Sequence, residues 1–174
     1  MRFAVLKILL IGKYDITFLK QFLYQIDMYV IFSNRYINID NVNNCKYCII
    51  DIGEETNNLQ TVFDVIIFKN EFFSNFNISD LIKKETIAII NSEDLKAKEF
   101  LKNNSINCIT CGLCERDTVT ASSISDDCVT VCIQRKINSL KNKIIETQEY
   151  NISGKYYPND IYPILAGSFL KFLV

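Results

Sequence analysis

The feature that most constrains this chain is a series of short apolar runs that do not alternate with polar residues. Val65-Ile66-Ile67-Phe68 and Ile87-Ala88-Ile89-Ile90 are apolar at every position. A half-buried strand alternates apolar and polar residues, because successive side chains point to opposite faces. A strand that is apolar throughout is buried on both faces, which is the condition of a parallel sheet covered by helices. The runs that predict strands are 3–11, 28–32, 47–52, 63–68, 86–90 and 106–111. Amphipathic stretches separate them. Residues 17–26 place Phe18, Leu19, Phe22, Leu23 and Ile26 at helical spacing. Residues 78–83 read as a short helix capped by Ser79, and 93–102 as a helix capped by Ser92. Strand alternating with helix predicts a doubly wound, mostly parallel, Rossmann-like α/β sheet.

The pattern changes after Gly112. Residues 118–123, 128–137 and 144–152 read as three successive strands, with turns at Asp126-Asp127 and Asn142. Short connections require antiparallel pairing, so this part is a small β meander. A nearly uncharged helix over 161–174, with Lys171 as its one charge, closes the chain. The reading is one domain over 1–174: parallel sheet with helices to 115, then meander and closing helix. A chain of this length buries a core without staples.

Composition then removes several functions. There is no histidine, so Ser-His and Cys-His nucleophile pairs are excluded, and any metal site rests on thiolates or carboxylates. Lys plus Arg total 19 against 20 for Asp plus Glu, which lacks the basic excess of a nucleic-acid binder. No apolar run is long enough to span a bilayer. The apolar start is followed by Gly12-Lys13-Tyr14-Asp15, which offers no small-residue cleavage site, so it reads as a first strand rather than a secretion signal. The expected location is cytoplasmic, with the seven cysteines reduced.

Those cysteines are spaced as Cys45/Cys48, Cys108/Cys111/Cys114 and Cys128/Cys132. Such C-x-x-C spacings can hold zinc or an iron–sulfur cluster. However, residues three apart in one strand point to opposite faces, so the expectation is structural thiols, with a metal protein as the alternative. Arg135, in Gln134-Arg135-Lys136, is a candidate anion-binding residue, because a guanidinium fork pairs with carboxylate or phosphate. A cross-strand charge ladder with Glu146 and Glu149 is the plainer reading. The closing helix lacks a polar side, which raises the expectation of a protein partner or a second copy against it.

Five local patterns occur in a familiar order. They are Phe63-Asp64-Val65-Ile66-Ile67-Phe68-Lys69-Asn70, Ile89-Ile90-Asn91-Ser92-Glu93-Asp94, Cys108-Ile109-Thr110-Cys111-Gly112, Asp117-Thr118-Val119-Thr120-Ala121-Ser122-Ser123-Ile124 and Asn159-Asp160-Ile161-Tyr162-Pro163-Ile164-Leu165-Ala166. This series resembles the central domain of the Mur ligases and of the related folylpolyglutamate and cyanophycin synthetases. In that family the first pattern ends in Thr-Asn, where this chain has Lys69-Asn70, and the second reads Asn-x-Asp-Asp. The resemblance implies a domain that binds Mg-ATP to make an acyl phosphate. It makes Lys13, Asn70, Asn91 and Asp94 the candidate nucleotide-binding residues, and Asp51 with Glu54 the candidate magnesium ligands.

The departures from the family point the other way. Its Gly-rich loop ends in Gly-Lys-Thr/Ser and cradles phosphates with backbone N–H groups. Here Leu10-Ile11-Gly12-Lys13-Tyr14-Asp15 has no upstream glycines and no hydroxyl after Lys13. The family's metal-binding histidine has no counterpart, and the chain stops where the family's C-terminal domain would begin. The expectation is a non-catalytic, Mur-ligase-like binding or interaction module without a cofactor, linked to cell-envelope metabolism. The alternative is a nucleotide-binding subunit of an ATP-dependent carboxylate–amine ligase that another chain completes.

Overall fold

A computed structural model describes residues 5–33, 37–38, 45–53, 59, 61–72, 77–154, 156 and 161–173. In chain order these form β1 (Leu6–Ile11), α1 (Ile16–Tyr24), β2 (Tyr29–Ser33), β3 (Ile37–Asn38), β4 (Tyr47–Ile52), β5 (Val65–Phe68), a 3-10 turn (Ser79–Leu81), β6 (Ile87–Asn91), α2 (Leu95–Asn103), β7 (Cys108–Gly112), β8 (Val119–Ile124), β9 (Cys128–Ile133), β10 (Ile137–Asn138), β11 (Ile144–Ile145), β12 (Gln148–Ser153) and α3 (Ile161–Leu173). The chain divides into two compact units. The first is Met1–Asp15, Asp27–Ile90 and Asp94–Cys108; the second is Ile16–Ile26, Asn91–Glu93 and Ile109–Val174. The division falls at 108/109, and α1 joins the second unit.

In the first unit the strand order is β6-β5-β1-β4-β2-β3. Every pairing is parallel except that of the short edge strand β3, which runs antiparallel to β2. The period of two sorts the apolar runs onto two faces. Leu9, Ile11, Ile66, Phe68, Ala88 and Ile90 lie on one face and pack with Ala97 and Leu101 of α2, and with Phe63, Phe72, Ile78 and Leu81. Phe72 stands edge-on to Phe68 at 4.8 Å and to Phe100 at 5.0 Å, geometries that suit the ring quadrupoles. On the other face Ile8, Leu10, Ile49, Val65 and Ile67 are equally buried. Burial on both faces is the physical reason these runs are continuous rather than alternating.

The second unit carries the β meander. β8 pairs parallel with β7 through only two residue pairs, Cys111↔Val119 and Gly112↔Thr120. It then pairs antiparallel with β9, with a bulge between Ala121 and Ser123, and β9 pairs antiparallel with β12. β10 and β11 form a separate two-stranded antiparallel sheet. α3 packs on α1, where Phe18 meets Tyr162 at 5.7 Å. The side chains of α3 are buried at Ile161 through Leu170 and at Leu173.

The fold class expected from the sequence is the one observed: α/β, Rossmann-like and mostly parallel, with a small antiparallel sheet and a C-terminal helix. Four local expectations need correction. α2 starts at Leu95 and its cap is Asp94, whose carboxylate accepts the Ala97 N–H at 3.0 Å; Ser92 turns to Asp117 instead. The stretch at 78–83 forms only a 3-10 turn, because the Asn77 side chain accepts the Ser79 N–H at 3.0 Å and Ser79 is no cap. The strand expected over 128–137 is two strands, because Cys128–Ile133 pairs with β8 and β12 whereas Ile137–Asn138 pairs with β11. The strand expected over 144–152 is likewise two strands, because Ile144–Ile145 pairs with β10 and Gln148–Ser153 with β9.

Candidate functional site

In a doubly wound sheet, ligands bind beyond the carboxyl ends of the strands where the strand order reverses. Here the chain passes from β4 on one side of β1 to β5 on the other, so the reversal lies at β1. The carboxyl ends of these three strands bring together Asp51, Gly12-Lys13 and Lys69-Asn70-Glu71.

Asp51 and Lys69 meet inside the protein. Asp51 lies level with Leu10 of β1, which is level in turn with Ile67 of β5, and Lys69 lies two residues further along. The shared parity puts Asp51 and Lys69 on the same face. The Lys69 ammonium donates to Asp51 Oδ1 at 2.5 Å, with side-chain exposures of 0% and 2%. Asp51 Oδ2 has no hydrogen-bond partner among the described residues. Two opposite charges out of water need one another, since either alone carries the full desolvation penalty.

The turn after β1 is closed over the same corner. Gly12 has φ +123, a conformation that side chains disfavour, and a Cβ there would lie 3.3 Å from the Lys69 carbonyl oxygen and 3.4 Å from Lys69 Cβ. The Lys69 N–H donates to the Ile11 carbonyl at 2.8 Å. The next turn places Glu71 at φ 61, and its carbonyl accepts the Lys13 N–H at 3.4 Å. The Lys13 ammonium pairs with the Glu71 carboxylate at 2.8 Å, in a mostly exposed bridge. The Lys13 N–H of this turn is thus engaged by the turn after β5.

Asn91, Asp94 and Arg135 make hydrogen bonds within the chain. The Asn91 amide oxygen accepts the Glu93 N–H at 3.0 Å, and Asp94 caps α2. Arg135 donates to the Arg116 carbonyl at 2.6 Å, and its neighbour Lys136 pairs with Glu146 at 2.9 Å across an exposed surface. Glu54 lies outside the described residues. As a magnesium ligand Asp51 does not fit, because its charge is already met by the Lys69 ammonium.

Cys111 is buried, whereas Cys108 and Cys114 are exposed, as opposite-face geometry requires. Among the described residues no three His, Cys, Asp or Glu side chains are grouped to hold a metal ion. Burial pushes the Cys111 thiol well above its ordinary range, and Asp117 adds to the shift. Burial also raises Cys48 and Cys108.

Sequence reasoning missed one further constellation. Ser92 donates to Asp117 Oδ2 at 2.9 Å, and the Cys114 N–H donates to the same oxygen at 3.0 Å. A Cβ on Gly112 would lie 2.6 Å from that oxygen, so glycine is needed for the approach. Asp117 is 2% exposed and nothing in its sequence neighbourhood announces burial. Lys69 did carry a signal: a charge abutting a fully apolar run, with Asp51 near the end of another.

No protein-family model matches the sequence, and no curated protein sequence matches it at a significant level. Solved structures do match. Over 98% of its length the chain superposes on the murein peptide ligase Mpl from Psychrobacter arcticus, with a TM-score of 0.57 and 12% identity, and covers 44% of that protein. MurF from Acinetobacter baumannii gives a TM-score of 0.57 and 12% identity over 98% of the chain, which covers 43% of it. The chain therefore spans less than half the length of these ligases, and the likeness is one of fold. The chain has a Mur-ligase-like α/β fold.

Proposed function

We propose that this chain is a Mur-ligase-like domain that acts as a binding or interaction module in cell-envelope metabolism, and that it does not turn over ATP. The observation that carries the reading is the closed turn after β1. Gly12 packs against Lys69, and the Lys13 N–H and ammonium both go to Glu71. A phosphate-binding loop needs free N–H groups converging on the anion, and a turn already bonded to the neighbouring strand does not offer them. Lys13 is held by a carboxylate rather than aimed at a phosphate.

The resemblance of the sequence patterns and the likeness of fold both support the cell-envelope setting. A competing reading is a nucleotide-binding subunit completed by another chain, supported by the approach of Gly12-Lys13, Asp51 and Lys69 at the strand reversal. The test is phosphate release from Mg-ATP by the purified protein, alone and with carboxylate and amine substrates. The expected result is no release above buffer. Turnover that disappeared in Lys13→Ala or Asp51→Ala would overturn the module reading and establish the subunit.

A further inference from the structure

We propose that Lys69 is a built-in counter-cation that replaces a divalent metal at Asp51, so that this corner of the fold is completed by the chain's own ammonium group. The inference deepens the reading above and rests on it.

The geometry is that of a metal corner closed from within. Asp51 lies near the end of β4, at the strand reversal where α/β sheets place ligands, with its carboxylate almost wholly buried. A buried carboxylate is held in its charged form by a nearby cation, and hard divalent cations with phosphates and water are one class that can supply it. Here the cation comes from β5. Lys69 reaches back along the sheet and places its ammonium 2.5 Å from Asp51 Oδ1, with no exposed side-chain surface. A second cation at Asp51 would have to sit beside this buried ammonium, where repulsion is screened little. One Asp51 oxygen is bonded to Lys69, and Oδ2 has no partner among the described residues. The carboxylate thus keeps one open oxygen, the donor that a metal would recruit once the lysine were gone.

Gly12 makes the arrangement possible. A side chain there would press on the Lys69 Cβ and carbonyl, so the bare backbone of the β1 turn leaves room for the lysine stem.

The test uses the full chain and Mn²⁺ as the probe, read by loss of the free Mn²⁺ paramagnetic resonance signal and by thermal unfolding with and without the metal. Four proteins are compared: wild type, Asp51→Asn, Lys69→Ser and Lys69→Ser with Asp51→Asn. Wild type should leave the Mn²⁺ signal unchanged up to millimolar metal. Lys69→Ser should bind Mn²⁺ at least about tenfold more tightly than wild type, and Asp51→Asn should abolish the gain. If Lys69→Ser is unfolded without metal, Mn²⁺ should restore its cooperative unfolding transition.

Wild-type binding that is lost in Asp51→Asn alone would overturn the proposal. So would a Lys69→Ser protein that neither gains affinity nor is restored by Mn²⁺. The two readings fail separately. Nucleotide binding by a wild type that ignores Mn²⁺ would remove the module reading and leave the lysine exchange standing. Mn²⁺ binding at Asp51 without nucleotide binding would do the reverse.

Discussion

The Asp51–Lys69 pair shows how a single residue decides what a strand end can do. Because both groups are buried, removing one strands the other without a counter-charge, and that penalty exceeds the value of the pair itself. Lys69→Ala should therefore destabilise the chain by about 3–5 kcal/mol, whereas the apolar pair Lys69→Met with Asp51→Leu should be close to neutral. Urea unfolding of the three proteins checks this; a mild loss in the single variant would mean that water reaches Asp51. The charges themselves were legible in the sequence, since a charged residue directly following four apolar ones is conspicuous. Their pairing was not. It depends on β1 lying between β4 and β5, and nothing local to residues 51 or 69 encodes that order. The roles of Asn91, Asp94 and Arg135 were hidden for a different reason. Asn91 and Asp94 bond backbone N–H groups two and three residues away, and Arg135 reaches the Arg116 carbonyl 19 residues away; none of these choices is written in residue type alone.

At the scale of elements, the sequence defined the strands of the first unit well because burial on both faces leaves an unbroken apolar signal. Tyr47–Ile52 and Val65–Phe68 lie on or within the expected spans. The meander was less legible. Its strands are only partly buried, so Ile133 to Ile137 reads as one continuous strand when the hydrogen bonds break it. The closing helix was visible in extent but not in packing. A Cβ on Gly167 would lie 2.7 Å from the Phe22 carbonyl and 3.0 Å from Gln25 Cβ, so α3 needs glycine to approach α1. Gly167→Ala adds helix propensity worth about 1 kcal/mol, but overpacking of a tight contact costs about 1–3 kcal/mol. The predicted net effect is a lower melting temperature by calorimetry. A rise would mean that the two helices have room to spare.

At the scale of the molecule, charge and fold make two further commitments. The chain has no histidine, the residue type whose unperturbed charge change lies nearest neutral pH. On the alkaline side, burial raises the Cys111 thiol above its ordinary 9.0 and the Tyr150 phenol above its ordinary 10.0, against a smaller opposing effect of the Tyr150–Ser168 hydrogen bond. A group whose folded-state value is raised stabilises the fold below its unfolded value and loses that contribution as the pH climbs past it. Unfolding free energy should therefore fall above pH 9, by up to about 1.4 kcal/mol per pH unit for each such group. Denaturant titrations from pH 7 to 10.5 test the sign, and stability that rose across this range would contradict the burial of both groups.

The central claim is that this chain keeps a Mur-ligase-like fold while its β1 turn and its Asp51 corner are closed to nucleotide. Calorimetric titration of the purified protein with Mg-ATP tests it most directly. The account predicts no heat of binding at millimolar nucleotide. Saturable binding at micromolar nucleotide, weakened by Lys13→Ala, would contradict it and return the strand-end site to nucleotide chemistry.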